Sequence, residues 1–237
     1  MTEHGTRAPG PLDRTLRRLM GEEAWTRMLE GAFERRHPIG ATLLRQGEAG
    51  THVLALLSGV AKVSRRERDG DVRLLAFRGP GELLGEVAVL DDGVRSASVQ
   101  AITDCTVAVL AKTVFLRFVG EQDLFPVMVR YAMGRLRESD LARSGGDVLP
   151  RLAAALVALA DVSAGADGAG GARGARGAGR VELALTRDEL AQHLGVSRNT
   201  VTAALAGLAA HRVEAGRRAI TIGDLPALRR AAGTPRA

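Results

Sequence analysis

The order of patterns along the 237 residues predicts an α+β protein: short helices, an antiparallel β barrel or roll, a long helix, then a C-terminal helix-turn-helix. Three observations carry this. Between residues 41 and 111 the hydrophobic period is two, in short runs punctuated by glycine, as half-buried strands joined by tight turns require. From Asp123 to about Arg143 the apolar residues fall at alternating four- and three-residue steps, a helical seam. Residues 185–208 hold two helical segments, each preceded by a capping hydroxyl and joined at Gly195.

Composition narrows the class. The chain is 46% hydrophobic but only 3% aromatic, so its cores are aliphatic. One cysteine, Cys105, excludes a disulfide framework and a multi-cysteine metal site within one chain; inside an apolar run it reads as a small buried hydrophobe. His4, His37, His52, His193 and His211 are scattered without metal-ligand spacing, so neither a metal nor a catalytic residue is expected. No apolar run is long enough to span a bilayer and the N-terminus lacks a signal h-region, which predicts a cytoplasmic protein with no membrane partner. The net charge of +6 is concentrated: residues 150–237 hold 12 Arg against 7 acidic residues, while residues 1–149 hold 21 basic against 20 acidic. A basic C-terminal end suits contact with nucleic acid.

Taken in order, residues 1–10 are polar and predicted to be disordered. Residues 12–35 read as one or two amphipathic helices with Leu16, Leu19, Met20, Trp25, Met28, Leu29 and Phe33 apolar, and His37-Pro38-Ile39-Gly40 ends them. Strands are expected at 41–44, 52–57, 60–64, 72–77, 98–102 and 106–110, with turns at Gly47, Gly50, Gly59, Asp69-Gly70 and Gly79-Pro80-Gly81.

The segment 81–98 interrupts the later strands and carries the first candidate site. Gly85 opens a short helix whose backbone N–H groups are free for an anion, and a glycine lets a ligand approach the backbone. Glu86 can accept from a ribose hydroxyl, Arg95 can fork two donors onto a phosphate, and Ser96 adds a hydroxyl. These residues, in this order, resemble the phosphate-binding cassette of the CRP/FNR family of bacterial regulators. The resemblance implies that the strands form a double-stranded β-roll, a cyclic-nucleotide-binding domain, with Arg45-Gln-Gly-Glu48 and Leu57-Ser-Gly59 at its turns. It implies Glu86 on the ribose 2′-hydroxyl, Arg95 and Ser96 on the cyclic phosphate, and Gly85, Val87 and Ala97 beside them.

A helix starts at 113–118, and the long helix from Asp123 carries Phe125, Val129, Ala132, Leu136 and Ser139 on one seam. By resemblance this is the dimer helix, closing over the base with Ser139 and Asp140; the family's best-known member has a Ser where Asp140 stands. A carboxylate there accepts from adenine's amino group or from guanine's N–H edge, or it disables the pocket by burying an unpaired charge. Gly145-Gly146 and Pro150 end the helix and form a hinge, about three residues short of the family spacing, most of a helical turn. Residues 151–161 are helical, and 163–179, almost wholly Ala, Gly and Arg, read as a flexible loop.

In the helix-turn-helix, Thr186 and Glu189 form a capping box, Gly195 suits the turn, and Ser197 caps the second helix. Val201, Leu205 and Leu208 face inward, which leaves Arg198, Asn199 and Thr202 on the end that enters a major groove. Thr186, Ser197 and Thr200 are the further candidate DNA contacts, and a hairpin turning near Gly216 presents Arg217 and Arg218 to phosphates as a wing. Relative to the best-known family member, Asn199 and Ala203 depart and Arg198 is retained, so a different operator sequence is expected.

The expected organisation is a cyclic-nucleotide-binding β-roll at 12–120 with the cassette at 81–98, a dimerisation helix and hinge at 121–146, and a winged helix-turn-helix at 147–230 with an insertion at 163–180. The expected function is a homodimeric transcription regulator, not an enzyme. Its effector would be cyclic AMP, with cyclic GMP the alternative, and its partners a palindromic DNA operator, a second copy and RNA polymerase. The alternative is a regulator that binds DNA without ligand because its pocket is degenerate. A nucleotide-regulated enzyme is the distant third, lacking any catalytic constellation.

Overall fold

The structure, a computed structural model, describes residues 15–141, 147–165 and 180–232. The expectations for residues 1–10 and for the Gly145-Gly146 hinge lie outside those residues.

The β-roll is two four-stranded antiparallel sheets packed face to face. Its strands are β1 (Phe33–His37), β2 (Thr42–Leu44), β3 (His52–Ser58), β4 (Ala61–Arg66), β5 (Val72–Arg78), β6 (Leu83–Leu84), β7 (Ser98–Ala101) and β8 (Cys105–Ala111). The sheet orders are β1-β8-β3-β6 and β2-β7-β4-β5. Alternation sorts side chains between two cores. Leu54, Leu56 and Val107 meet Leu44, Ala61 and Val99 between the sheets. From the other face of β3 and β8, Val53, Ala55, Ala108 and Leu110 meet the helices α1 (Leu16–Met20), α2 (Glu22–Leu29), α4 (Lys112–Glu121) and α5 (Phe125–Leu141) through Leu16, Trp25, Phe115, Met128 and Tyr131. Each such fully buried aliphatic or aromatic side chain stabilises by roughly 1.5–3 kcal/mol. Cys105 is buried and its thiol is pushed up to about 12 by burial, so it is a packing residue.

Three expectations need correction. Phe33 is not on a helix: it opens β1, is 63% exposed, and β1 pairs with β8 from Phe33↔Val109 to His37↔Cys105. The strand reads Phe-Glu-Arg-Arg-His, charged as edge strands are when they must not recruit other chains, and that charge hides the period of two. Pro150 does not end a helix but sits in the first turn of α6 (Val148–Gly165), where its missing N–H has no intrahelical acceptor to lose. That helix continues to Gly165, so residues 163–165 of the expected loop are helical, carried on by the alanine-rich sequence before them; 166–179 lie outside the described residues.

The C-terminal unit builds its core from α6, α7 (Arg187–Leu194), α8 (Arg198–Gly207) and α9 (Leu225–Ala232) over a three-stranded sheet. That sheet has β9 (Val181–Leu183), β10 (Val213–Ala215) and β11 (Ile220–Ile222) in the order β10-β11-β9. No helix among the described residues is long and apolar enough to cross a membrane.

Candidate functional site

The cassette forms where β6 ends. Gly85 has φ +81°, a left-handed conformation that favours glycine, and α3 (Glu86–Leu90) starts directly after it. A Cβ at Gly85 would collide with the Arg95 guanidinium and come within 2.8 Å of Leu44, so a second reason for glycine is space.

Arg95 is 3% exposed. Its Nη1 donates to the carbonyl of Gly85 at 2.5 Å and its Nη2 to the carbonyl of His52 at 2.5 Å. Both acceptors are backbone carbonyls, and Arg95 makes no ion pair with a described carboxylate. Burial pulls its pKa below the usual arginine value, opposed by the fields of Glu86 and Glu48. The same burial lowers His52, with Arg95 adding to the effect.

Gly85, Glu86, Val87, Arg95, Ser96 and Ala97 line one cavity of about 80 Å³, together with Arg78 from β5 and Arg135 from α5. All six cassette residues singled out from sequence are therefore brought together. Val87 stands at the lip, 51% exposed, while Glu86 is 5% exposed. Ser139 and Asp140 lie on α5, and their side chains are outside the described residues.

Sequence reasoning missed the residues that hold Glu86. Arg135 ion-pairs with Glu86, donates to the Leu83 carbonyl at 2.6 Å and lies 4.2 Å over the Tyr131 ring. Glu82 stands 3.7 Å from Arg135 and 3.4 Å from Arg78, and the Tyr131 hydroxyl accepts from the Leu83 N–H at 3.1 Å. Burial raises the Tyr131 phenol pKa, so it stays protonated. One available signal pointed at Arg135: it lies four residues before Ser139, on the same face of one helix.

At the C-terminal end the Thr186 hydroxyl accepts from the Glu189 N–H at 3.2 Å while Glu189 accepts from the Thr186 N–H at 2.8 Å. Thr186 is thus spent largely on the cap of α7. Gly195 has φ +67° and ends α7. The Ser197 hydroxyl accepts from the Thr200 N–H at 3.1 Å, capping α8. Val201, Leu205 and Leu208 are buried, whereas Ser197, Arg198, Asn199, Thr200 and Thr202 are exposed. Arg198 lies 3.6 Å from Asp188, and the Thr202 hydroxyl donates to the Arg198 carbonyl at 2.9 Å. The hairpin β10–β11 closes through Gly216 N–H to the Ala219 carbonyl at 2.8 Å and exposes Arg217 and Arg218. Arg187 fixes that wing to α7, donating to the Ala215 carbonyl at 2.6 Å.

A buried, cationic cavity in a β-roll, joined to a capped and exposed helix-turn-helix, defines a ligand-sensing DNA-binding regulator. Comparison with known proteins makes this specific. Residues 34–122 match the cyclic nucleotide-binding domain and residues 150–231 match the Crp-like helix-turn-helix domain. The chain is 32% identical over 181 residues to a CRP-like cAMP-activated global transcriptional regulator of Mycobacterium tuberculosis, covering 74% of this chain and 76% of that one. It is 36% identical over 111 residues to the cyclic AMP receptor protein of Thermus thermophilus, 46% of this chain and 51% of that one. A CRP-family transcriptional regulator of known structure from Thermus thermophilus shares its fold, with a TM-score of 0.56 at 24% identity over 84% of this chain and 97% of that one. The chain belongs to the CRP/FNR family of cyclic-nucleotide-binding transcription regulators; its domains are those of regulators and not of enzymes.

Proposed function

We propose that this protein is a cyclic-AMP-responsive homodimeric transcription regulator. The observation that carries the effector reading is Arg95: a guanidinium 3% exposed, satisfied on two sides by backbone carbonyls and with no carboxylate paired to it among the described residues. A buried cation without a counter-ion is costly, and a cyclic phosphate entering beside it supplies the missing charge. Ser96 adds its hydroxyl, Gly85, Val87 and Ala97 shape the wall, and Glu86, oriented by Arg135, takes the ribose 2′-hydroxyl. A cavity of about 80 Å³ holds the phosphate end of a nucleotide and not the whole of it. In this reading the base extends out of the cavity toward α5, the helix that carries Ser139 and Asp140. Cyclic AMP is preferred to cyclic GMP because the two relatives from Mycobacterium tuberculosis and Thermus thermophilus are a cAMP-activated regulator and a cyclic AMP receptor.

The dimer reading rests on α5. Phe125, Val129 and Met133, at steps of four, are 51%, 61% and 49% exposed, an apolar stripe that a second copy covers. Two recognition helices roughly 34 Å apart then fit a palindromic operator. Arg198, Asn199 and Thr202 face base edges; Arg217 and Arg218, with Ser197 and Thr200, face phosphates. RNA polymerase is the partner through which a bound regulator acts, in the cytoplasm.

Isothermal titration of the purified protein with cyclic AMP and cyclic GMP tests this. Saturable binding of cyclic AMP, weaker cyclic GMP, and loss of both in Arg95→Ala are expected. No heat and no thermal shift with either nucleotide would instead favour the ligand-independent regulator.

A further inference from the structure

A second cavity, of about 290 Å³, opens beside strand β1 and shares no lining residue with the cassette cavity of about 80 Å³. Strand pairing explains where it lies. Phe33 stands opposite Val109, and Val109 opposite Leu54, so three adjacent strands put these side chains on one face. Alternation adds Arg35, His37 and His52 to that face and sends Glu34 and Arg36 to the other. It is the inner face of the sheet, on which Leu54 packs against Leu44.

The opposing sheet stops short of covering it. Its edge strand β2 has three residues, against five in β1 and seven in β8. The β2–β7 register slips between Thr42↔Gln100 and Leu44↔Val99, which leaves Leu43 as a bulge without a partner. Leu43 and Leu44 therefore both pack on the core between the sheets, although they are neighbours in the chain. The inner face of β1 is left open, and Phe33 on it is 63% exposed.

The wall of this cavity has two chemistries. Leu43, Leu54 and Val109 are apolar; Arg35, His37 and His52 are polar, and no Asp or Glu lines it. Among the described residues Arg35 makes no ion pair and no side-chain hydrogen bond. The Thr51 hydroxyl and His52 Nδ1 share a hydrogen bond at 2.9 Å, while His52 Nε2 has no partner among the described residues. Burial, and after it the charge of Arg35, lowers the pKa of His37. Burial, then Arg95, lowers that of His52, with Glu48 opposing and Arg35 adding. Both rings are therefore neutral at pH 7, each with one N–H to donate, and Arg35 is the single charge on the wall.

We propose that this cavity binds a small organic carboxylate with an apolar body, its head on Arg35, His37 and His52 and its body on Leu43, Leu54 and Val109. A guanidinium forks two donors onto a carboxylate, and a wall without acidic residues does not repel one. An inorganic anion would leave the apolar side wet, and an uncharged molecule would leave Arg35 without its anion. The volume lies near the lower limit of ligand pockets, roughly 300 Å³, which suits a medium-chain or aromatic acid. The site is separate from the nucleotide reading and stands without it.

The test titrates the full chain with octanoate and with benzoate, using 1-octanol as the uncharged control. Binding is followed by calorimetry and by the histidine ring signals in NMR. Saturable binding of at least one acid is expected, with the ring signals of His37 and His52 moving and that of buried His193 still. 1-Octanol should bind at least about tenfold more weakly than octanoate, as loss of a charge-assisted hydrogen bond implies. Arg35→Gln, on an exposed edge strand, should weaken the acid by about tenfold or more and leave cyclic AMP within about threefold. Saturating cyclic AMP should not displace the acid. No saturable binding of either acid overturns the site, as do 1-octanol binding as tightly as octanoate, full affinity in Arg35→Gln, and displacement by cyclic AMP, which would put the acid at the cassette. A chain that binds the acid through Arg35 but no cyclic AMP overturns the effector reading and leaves this site standing.

Discussion

The two arginines that stand for the two sites live in opposite surroundings. Arg95 is 3% exposed and held by the carbonyls of Gly85 and His52, while the Arg198 side chain is 63% exposed and rests 3.6 Å from Asp188. Burial makes the first cation expensive to leave without an anion and therefore selective for one. Exposure makes the second cheap to hold, and in the proposed function it trades Asp188 for a base edge. A sensor needs a preformed, desolvated site; a reader of DNA needs side chains that water releases easily.

The largest effect is expected from Arg95→Ala. Losing one partner of a buried charge-assisted contact costs about 3 kcal/mol, so cyclic AMP binding should fall by ~100-fold or more while circular dichroism is unchanged. Arg198→Ala should cost roughly 1–3 kcal/mol on the specific site and little on unrelated DNA, measured by competition between the two; equal losses would make Arg198 a phosphate contact. A third test acts on the seam between the two units. His193 is pushed down to about 4, well below the ordinary histidine value of 6.5, first by burial and then by Arg151. Its folded pKa is depressed, so the unfolded chain takes up the proton first and stability declines as pH falls from about 6.5 toward 4. The loss at pH 5 should be on the order of 1–2 kcal/mol, read as a lower Tm, and His193→Gln should flatten that slope. The smallest effect belongs to the wing: Arg217→Ala or Arg218→Ala should weaken all DNA sequences alike and reduce the salt dependence of binding by about one counter-ion each.

What was legible in the sequence, and what was not, follows the range of the interactions. Gly85, Glu86, Arg95 and Ser96 lie within one short segment, and the Ser197 cap and Gly195 turn are local, so their chemistry is written in adjacent letters. Phe33 misled because an edge strand carrying Glu34, Arg35 and Arg36 has no hydrophobic period to read, while its spacing from Leu29 imitates a helix. Arg135 reaches Glu86 across 49 residues, and Lys62 reaches Glu189 across 127; such pairs appear only when the fold brings them together. The bulge at Leu43 was equally hidden, since only the partner strand's register reveals it.

The most direct measurement is fluorescence anisotropy of a labelled DNA fragment, selected by the wild-type protein, as cyclic AMP is added to wild-type and Arg95→Ala protein at physiological salt. A buried arginine that receives the cyclic phosphate and gates DNA reading predicts a saturable rise in DNA affinity for the wild type and a flat response for Arg95→Ala, with both proteins binding unrelated DNA equally. A wild type whose DNA affinity is already full without nucleotide, and is unmoved by adding it, would contradict that description of the cavity.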